Sequence, residues 1–210
     1  MKKIRKEYYL IAILLICFFL LTLFVVGGKT DLIDEHVFKG VIGLKNNILT
    51  NVLYVITNIG STIGVVCVLL IIAVIFIRKK SFSDFKYVVF NVGIGVILMK
   101  TLKHIIRRIR PSWKWITQAG FSYPSGHTIS AILLYGTLIL LVNKKVKGRL
   151  KTPLIVFLSI MIFLISISRI YFGVHYLTDV VASLILGSVI LIISNMIMNK
   201  EFLSDKNKNK

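Results

Sequence analysis

The stretch YYLIAILLICFFLLTLFVVG, residues 8 to 27, carries no charged side chain. A run of roughly 17 to 25 predominantly apolar residues is what an α-helix needs to cross about 30 Å of hydrocarbon. The basic start MKKIRKE before it has the look of a secretory signal. The apolar run is too long for that, however, and no small-x-small cleavage site follows, so it reads as an uncleaved first span. Similar runs lie near 53–77, 87–106, 128–143, 153–169 and 177–198. The whole chain of 210 residues is 56% hydrophobic, more than a soluble domain of this size needs to fill a core. The expectation is an all-α polytopic membrane protein with six transmembrane helices. It forms one domain, 1–210, since no internal repeat, Pro-rich linker or low-complexity tract divides it.

The net charge of +19 would suggest nucleic acid in a soluble chain, but here the cations sit in short loops beside apolar runs. Lys2, Lys3, Arg5 and Lys6 precede the first span, and Arg78, Lys79, Lys80 and Lys86 lie between the second and third. Lys144, Lys145, Lys147, Arg149 and Lys151 separate the fourth and fifth, and the tail is KNKNK. With six spans all four clusters share a side, which makes that side and both termini cytoplasmic. No nucleic-acid partner is implied. Cys17 and Cys67, inside apolar runs and far from any Cys-x-x-Cys or Cys/His spacing, read as packing residues. Gly60 and Gly64 form a small-x-x-x-small pair in the second span, read as a helix contact.

One loop breaks the charge rule. MKTLKHIIRRIRPSWKW, residues 99 to 115, falls on the outer side yet holds Lys100, Lys103, Arg107, Arg108, Arg110 and Lys114 with no acid. Cations so placed suit a bound anion. Lys103 and Arg110 are two helical turns apart, so on a continuing helix they share a face with Arg107 between them, until Pro111 ends it. An ammonium and a forked guanidinium suit a phosphate. Arg108 points elsewhere on this reading, as a headgroup contact, and His104 is an interfacial bystander.

Pro124-Ser125-Gly126-His127 follows, at the outer entry of the fourth span. Gly126 allows close backbone approach, Ser125 offers a hydroxyl and a helix cap, and the helix N-terminus favours an anion. A third cluster, SRIYFGVHYLTDV at 168–180, holds Arg169, His175 and Asp179. His175 and Asp179 are four apart, so on a helix start the carboxylate reaches the imidazole. A carboxylate on one ring nitrogen fixes the tautomer and leaves the other lone pair free to attack. Each cluster taken alone reads equally as capping, interfacial or loop chemistry; their convergence on one side of the membrane is what favours a site.

Lys103, six residues, Arg110-Pro111; Pro124-Ser125-Gly126-His127; and Ser168-Arg169, five residues, His175, three residues, Asp179: the three motifs together resemble the type 2 phosphatidic acid phosphatase superfamily in its six-span bacterial form. The resemblance implies a lipid phosphatase in the plasma membrane of a bacterium, with the site at the extracytoplasmic helix ends. It implies that His175 is a nucleophile forming a phosphohistidine, that Asp179 orients it, and that His127 protonates the leaving oxygen and then activates water. Lys103, Arg110, Ser125, Gly126 and Arg169 would hold the phosphoryl oxygens. No metal and no cofactor are implied. The acid-rich first outer loop, with Asp31, Asp34, Glu35 and His36, is poor as a metal site and reads as solvated, with VFKGVIGL as part of a lid. Candidate substrates are phosphatidylglycerophosphate and undecaprenyl pyrophosphate, with phosphatidic acid beside them. Vanadate-dependent haloperoxidases carry the same motifs, but six spans weigh against them. A non-catalytic protein that binds or moves anionic lipids would explain the cations but has no need of His127 and the His175–Asp179 pair.

Overall fold

The computed structural model describes residues 6–208, with side chains as far as Met198. Lys2, Lys3 and Arg5 of the basic start and Asn209 and Lys210 of the tail lie outside the described residues. The helices are α1 (Lys6–Val26), α2 (Asp31–Ile42), α3 (Asn47–Ile59), α4 (Thr62–Arg78), α5 (Phe82–Ile106), α6 (Gly126–Lys145), α7 (Lys151–Tyr171) and α8 (Leu177–Lys208), with no strand among the described residues. Long apolar runs in lipid favour helices, in which each backbone N–H finds its carbonyl within its own segment. Five helices, α1, α5, α6, α7 and α8, are long and apolar enough to cross a bilayer.

The sixth expected span, 53–77, is not one helix. α3 ends at Ile59, α4 begins at Thr62, and their axes differ by 63°, so the pair counts as one span only as a bent unit. The break has a local cause. Ser61 caps α4, its Oγ accepting from the Gly64 N–H at 3.1 Å, and donates to the Asn58 carbonyl at the end of α3. Gly60 and Gly64 therefore do not line one helix face. A methyl group on Gly60 would meet Ile165 of α7 at 2.4 Å, while one on Gly64 would strike the Asn58 carbonyl at 2.1 Å.

α6 is the axis of the bundle, with every residue from Ala131 to Thr137 buried. α5, α7 and α8 pack around it, and α1 lies against α8 with most of its surface exposed. Close approach rests on small residues, as expected where lipid tails supply no hydrophobic drive between helices. A methyl on Gly136 would meet Leu191 at 2.5 Å, and one on Gly187 would meet Ile132 at 2.2 Å. A buried polar bridge ties three helices: Asn91 of α5 donates to Thr137 of α6 at 2.9 Å and accepts from Ser194 of α8 at 2.6 Å. Cys17 and Cys67 are exposed on the peripheral α1 and α4, so neither packs in the interior as expected. At the end of the bundle that carries the Lys144–Lys151 cluster, Lys145 pairs with the buried Asp84.

The segment expected as a solvated loop contains α2. Its outer face shows Leu32 and Ile33, while Asp34 and Phe38 are buried against the start of α8 and the loop after α7. Phe38 stacks on Trp113 with ring centroids 5.0 Å apart, and Trp113 meets Tyr176 edge-on at 5.8 Å. A second aromatic group joins the α5–α6 loop to the end of α7: Trp115 packs against Tyr171 and Phe172 and donates its indole N–H to the Tyr171 carbonyl at 2.8 Å. These contacts hold together the two loops that carry the sequence motifs.

Candidate active site

α5 stops at Ile106, four residues short of Arg110, because Arg107 takes a left-handed conformation at φ 49°. Lys103 and Arg110 therefore do not share a helix face, and Arg107 is turned outward to its own helix, its Nε donating to the His104 carbonyl at 2.9 Å. Lys103, in the last turn of α5, donates to the Phe121 and Ser122 carbonyls. Arg110 is reached through extended chain instead. It donates to the Gly120 carbonyl at 2.9 Å, the Val174 carbonyl at 2.7 Å and Nε2 of His175 at 3.1 Å.

His175 sits in the short turn between α7 and α8. The last turn of α7 delivers Arg169, and Gly173 at φ 63° reverses the chain so that the Val174 and His175 N–H groups both return to the Arg169 carbonyl, at 3.2 and 3.3 Å. The role of Gly173 is thus more than that of a loop residue. A Cβ there would sit 3.0 Å from both Phe38 and Trp113, on top of the cost of about 1–2 kcal/mol for a left-handed L-residue. Gly173→Ala is expected to lower the thermal midpoint in detergent, checked by melting curves of variant and parent under the same conditions.

At the other side of the turn, α8 begins with its N-terminus unusually equipped. Asp179 Oδ2 accepts from the Tyr176 N–H at 3.0 Å and faces His175 Nδ1 at 3.3 Å. This leaves Nδ1 as the protonated nitrogen and Nε2 as the acceptor for Arg110. His175 is 3% exposed, and burial, followed by Arg110, Arg169 and Lys103, holds its pKa well below the ordinary imidazole value. Its ring is accordingly neutral, with Asp179 on one nitrogen and a cation on the other.

Arg169 is 1% exposed; it donates to Thr57 of α3 and, at 3.0 Å, to Gln118, while its Nε has no partner. A cavity of about 620 Å³ beside it is lined by His127, Arg169, Thr57, Asn58 and Gln118, and opens where α3 breaks from α4. Gly60 at that break lies against the His127 ring, where a methyl would come within 3.4 Å of Cδ2. Ser125 is fully buried at the start of α6 but does not cap it; its Oγ accepts from Thr128 Oγ1 at 3.0 Å, and its N–H donates to the Asp179 carbonyl at 3.3 Å. Gly126, the first residue of α6, has only Met99 near its missing Cβ, at 3.3 Å. His104 is exposed, as expected, with Nδ1 on the Lys100 carbonyl at 2.7 Å.

Arg108 does not point away. It donates to Asp179 Oδ1 at 2.8 Å and Asp34 Oδ2 at 2.8 Å, and lies 3.8 Å over the Tyr176 ring. The acids outweigh the effect of burial and raise its pKa above the ordinary guanidinium value. Asp34, expected in solvent, also accepts from the Thr178 N–H at 3.0 Å. Its one sequence signal is the four-residue spacing of Asp34 from the apolar Phe38, both on the buried face of an amphipathic helix. Together the structure brings Lys103, Arg110, Ser125, Arg169, His175 and Asp179 to one end of the bundle, with His127 and Arg169 both lining the cavity there. Among the described residues no cluster of His, Cys, Asp or Glu is arranged to hold a metal ion.

Comparison with known proteins fits this geometry. The PAP2 superfamily matches residues 84–203. Phosphatidylglycerophosphatase B of Bacillus subtilis (strain 168) is 30% identical over 159 residues, covering 73% of this chain and 77% of the relative. The enzyme of the same name from Haemophilus influenzae is 35% identical over 89 residues, 39% of this chain and 36% of its own. The crystal structure of a transmembrane PAP2-type phosphatidylglycerolphosphate phosphatase from Bacillus subtilis superposes with a TM-score of 0.84 at 26% identity, covering 91% of this chain and 97% of that one. Aquifex aeolicus LpxE shares the fold, with a TM-score of 0.62 at 23% identity over 80% of this chain and 95% of its own. A helical membrane bundle with this loop geometry, matched over more than half its length by the family and over nearly all of it by a member's structure, belongs to the PAP2 superfamily of phosphatases.

Proposed function

We propose that this chain is an integral-membrane lipid phosphate phosphatase that hydrolyses a terminal phosphoryl group through a phosphohistidine on His175, with no divalent metal. The observation that carries the reading is the buried His175 ring, with Asp179 on Nδ1 and the Arg110 guanidinium donating to Nε2. Arg110 leaves Nε2 for a phosphoryl oxygen, and Nε2 attacks phosphorus. The ester P–O bond breaks, the leaving oxygen takes a proton from His127, and Asp179 offsets the positive charge on the imidazole. Water then attacks the phosphohistidine as His127 takes its proton, and the P–N bond electrons return to His175. Lys103, Arg110 and Arg169 neutralise the equatorial oxygens, with Ser125, Gly126 and the unpartnered Nε of Arg169 as further donors.

Bilayer topology follows from the charge pattern: α3 and α4 form one bent span, six spans place both termini in the cytoplasm, and the site faces outward. A site at helix ends suits a substrate whose tails remain in the bilayer. The named function of the Bacillus relative supports phosphatidylglycerophosphate; an outward site supports undecaprenyl pyrophosphate, with phosphatidic acid as a side substrate. Purified protein in detergent is expected to release phosphate from phosphatidylglycerophosphate in excess EDTA at the rate seen with added Mg²⁺. Loss of turnover in EDTA, restored by Mg²⁺, sinks the metal-free mechanism; saturable lipid binding without release favours an anionic-lipid binder or transporter. Rates from matched micelles of the two lipids rank the substrates.

A further inference from the structure

Asp179 has more partners than its histidine. Tyr176 supplies the first carbonyl of α8, accepting from the Val180 N–H at 3.3 Å, and so stands at the N-cap, but its side chain cannot serve as one. Asp179, three positions on, reaches back to the Tyr176 N–H, which is one half of a capping box. The other half comes from 144 residues away in the chain: Asp34 of α2 accepts the Thr178 N–H through Oδ1, at 3.0 Å, and the Thr178 hydroxyl through Oδ2, at 2.7 Å. Arg108 then joins the two acids at 2.8 Å each, its side chain 10% exposed and both carboxylates fully buried.

A buried carboxylate without a counter-charge is costly, and the neutral His175 supplies none. Arg108 does. One guanidinium thus faces two buried acids, with the exposed Asp31 at 3.5 Å, and sets Asp179 against one ring nitrogen while Arg110 stands at the other. Both Asp179 oxygens are committed, Oδ1 to Arg108 and Oδ2 to Tyr176 N–H and His175, so the carboxylate has no freedom to rotate away.

We infer that Arg108 and Asp34 are positioning residues for the His175–Asp179 pair: α2 and the α5–α6 loop together lock the carboxylate, and through it the Nδ1–H tautomer that leaves Nε2 nucleophilic. The inference rests on the reading of His175 as the nucleophile, and it makes α2 a working part of the site. Outer partners that orient metal-ligating histidines change affinity or activity about 10- to 100-fold when removed, without touching the substrate, and a loss of the same order is expected here.

The test uses the full chain in detergent with Arg108→Ala, Arg108→Lys and Asp34→Asn; the last keeps size and an acceptor oxygen. Glu35→Ala, on the exposed face of α2, is the control. Expected are kcat losses of about 100-fold for Arg108→Ala and about 10-fold for Asp34→Asn, with KM and orthovanadate binding within about threefold of the parent. Nitrogen-15 spectra of the His175 ring should change from a single Nδ1–H tautomer to a mixture in Arg108→Ala and Asp34→Asn, with Arg108→Lys, which keeps the charge but not the fork, between them and the parent, while Glu35→Ala matches the parent throughout. A kcat within threefold together with an unchanged ring spectrum overturns the inference, as does loss of vanadate binding in step with kcat, which would place these residues in the phosphate cradle or the fold. If the parent releases no phosphate, the functional reading fails, and the ring spectrum still decides the positioning role.

Discussion

His175→Ala is expected to reduce phosphate release by about 10⁴-fold or more, a loss of about 5 kcal/mol or greater in transition-state stabilisation. Alanine removes the atom that would bond to phosphorus, and the nearest oxygens are already engaged: Asp179 accepts from Arg108 and the Tyr176 N–H, and Ser125 Oγ accepts from Thr128. Rapid acid quenching is too harsh for a phosphoramidate, so the companion measurement is a denaturing quench at alkaline pH after mixing with ³²P-labelled lipid. Parent protein should carry label that is stable to base and lost in acid; His175→Ala should carry none. Full turnover in the variant, or base-stable label persisting in it, would remove His175 from the chemistry.

For His127→Ala the expected loss on a lipid phosphate is about 10²- to 10⁴-fold, the span usual for a general acid–base. Its signature lies in how the loss divides. An aryl phosphate with an acidic leaving group needs no proton to depart, so its first step should survive in the variant while hydrolysis of the intermediate, which needs a base, does not. The variant should therefore show a burst of aryl alcohol close to one per protein molecule and accumulate the labelled enzyme that the parent clears quickly. Equal losses on lipid and aryl substrates with no burst would assign His127 to binding alone. His127 lines the cavity together with Arg169 and lies against the turn at Gly60.

Much of the helical framework is legible in the sequence. Spans α5 to α8 follow from run length, and short spacings within single segments, such as His175 to Asp179, survive folding because one helix start or tight turn decides them. What stayed hidden depends on distant partners. Arg108 looked like one cation among six because its acids lie 71 and 74 positions away. Asp34 looked solvated because nothing local shows that a twelve-residue helix will turn its acid onto the start of α8. The shared face expected of Lys103 and Arg110 failed on a single backbone choice, the left-handed Arg107, which a sequence period cannot register. The break near Gly60 was visible in principle: Thr57, Asn58, Ser61 and Thr62 form a polar knot with capping chemistry inside an apolar run, which hydropathy averaged over a window conceals.

The contact between Arg110 and Nε2 of His175 gives the resting protein a built-in discretion. A lone pair already engaged is dull toward stray electrophiles, and only a visitor with enough negative charge to lure the guanidinium away uncovers it. Alkylating or acylating reagents should thus spare residue 175 in the empty protein, and on the proposed mechanism a dianionic substrate would uncover the ring as it arrives.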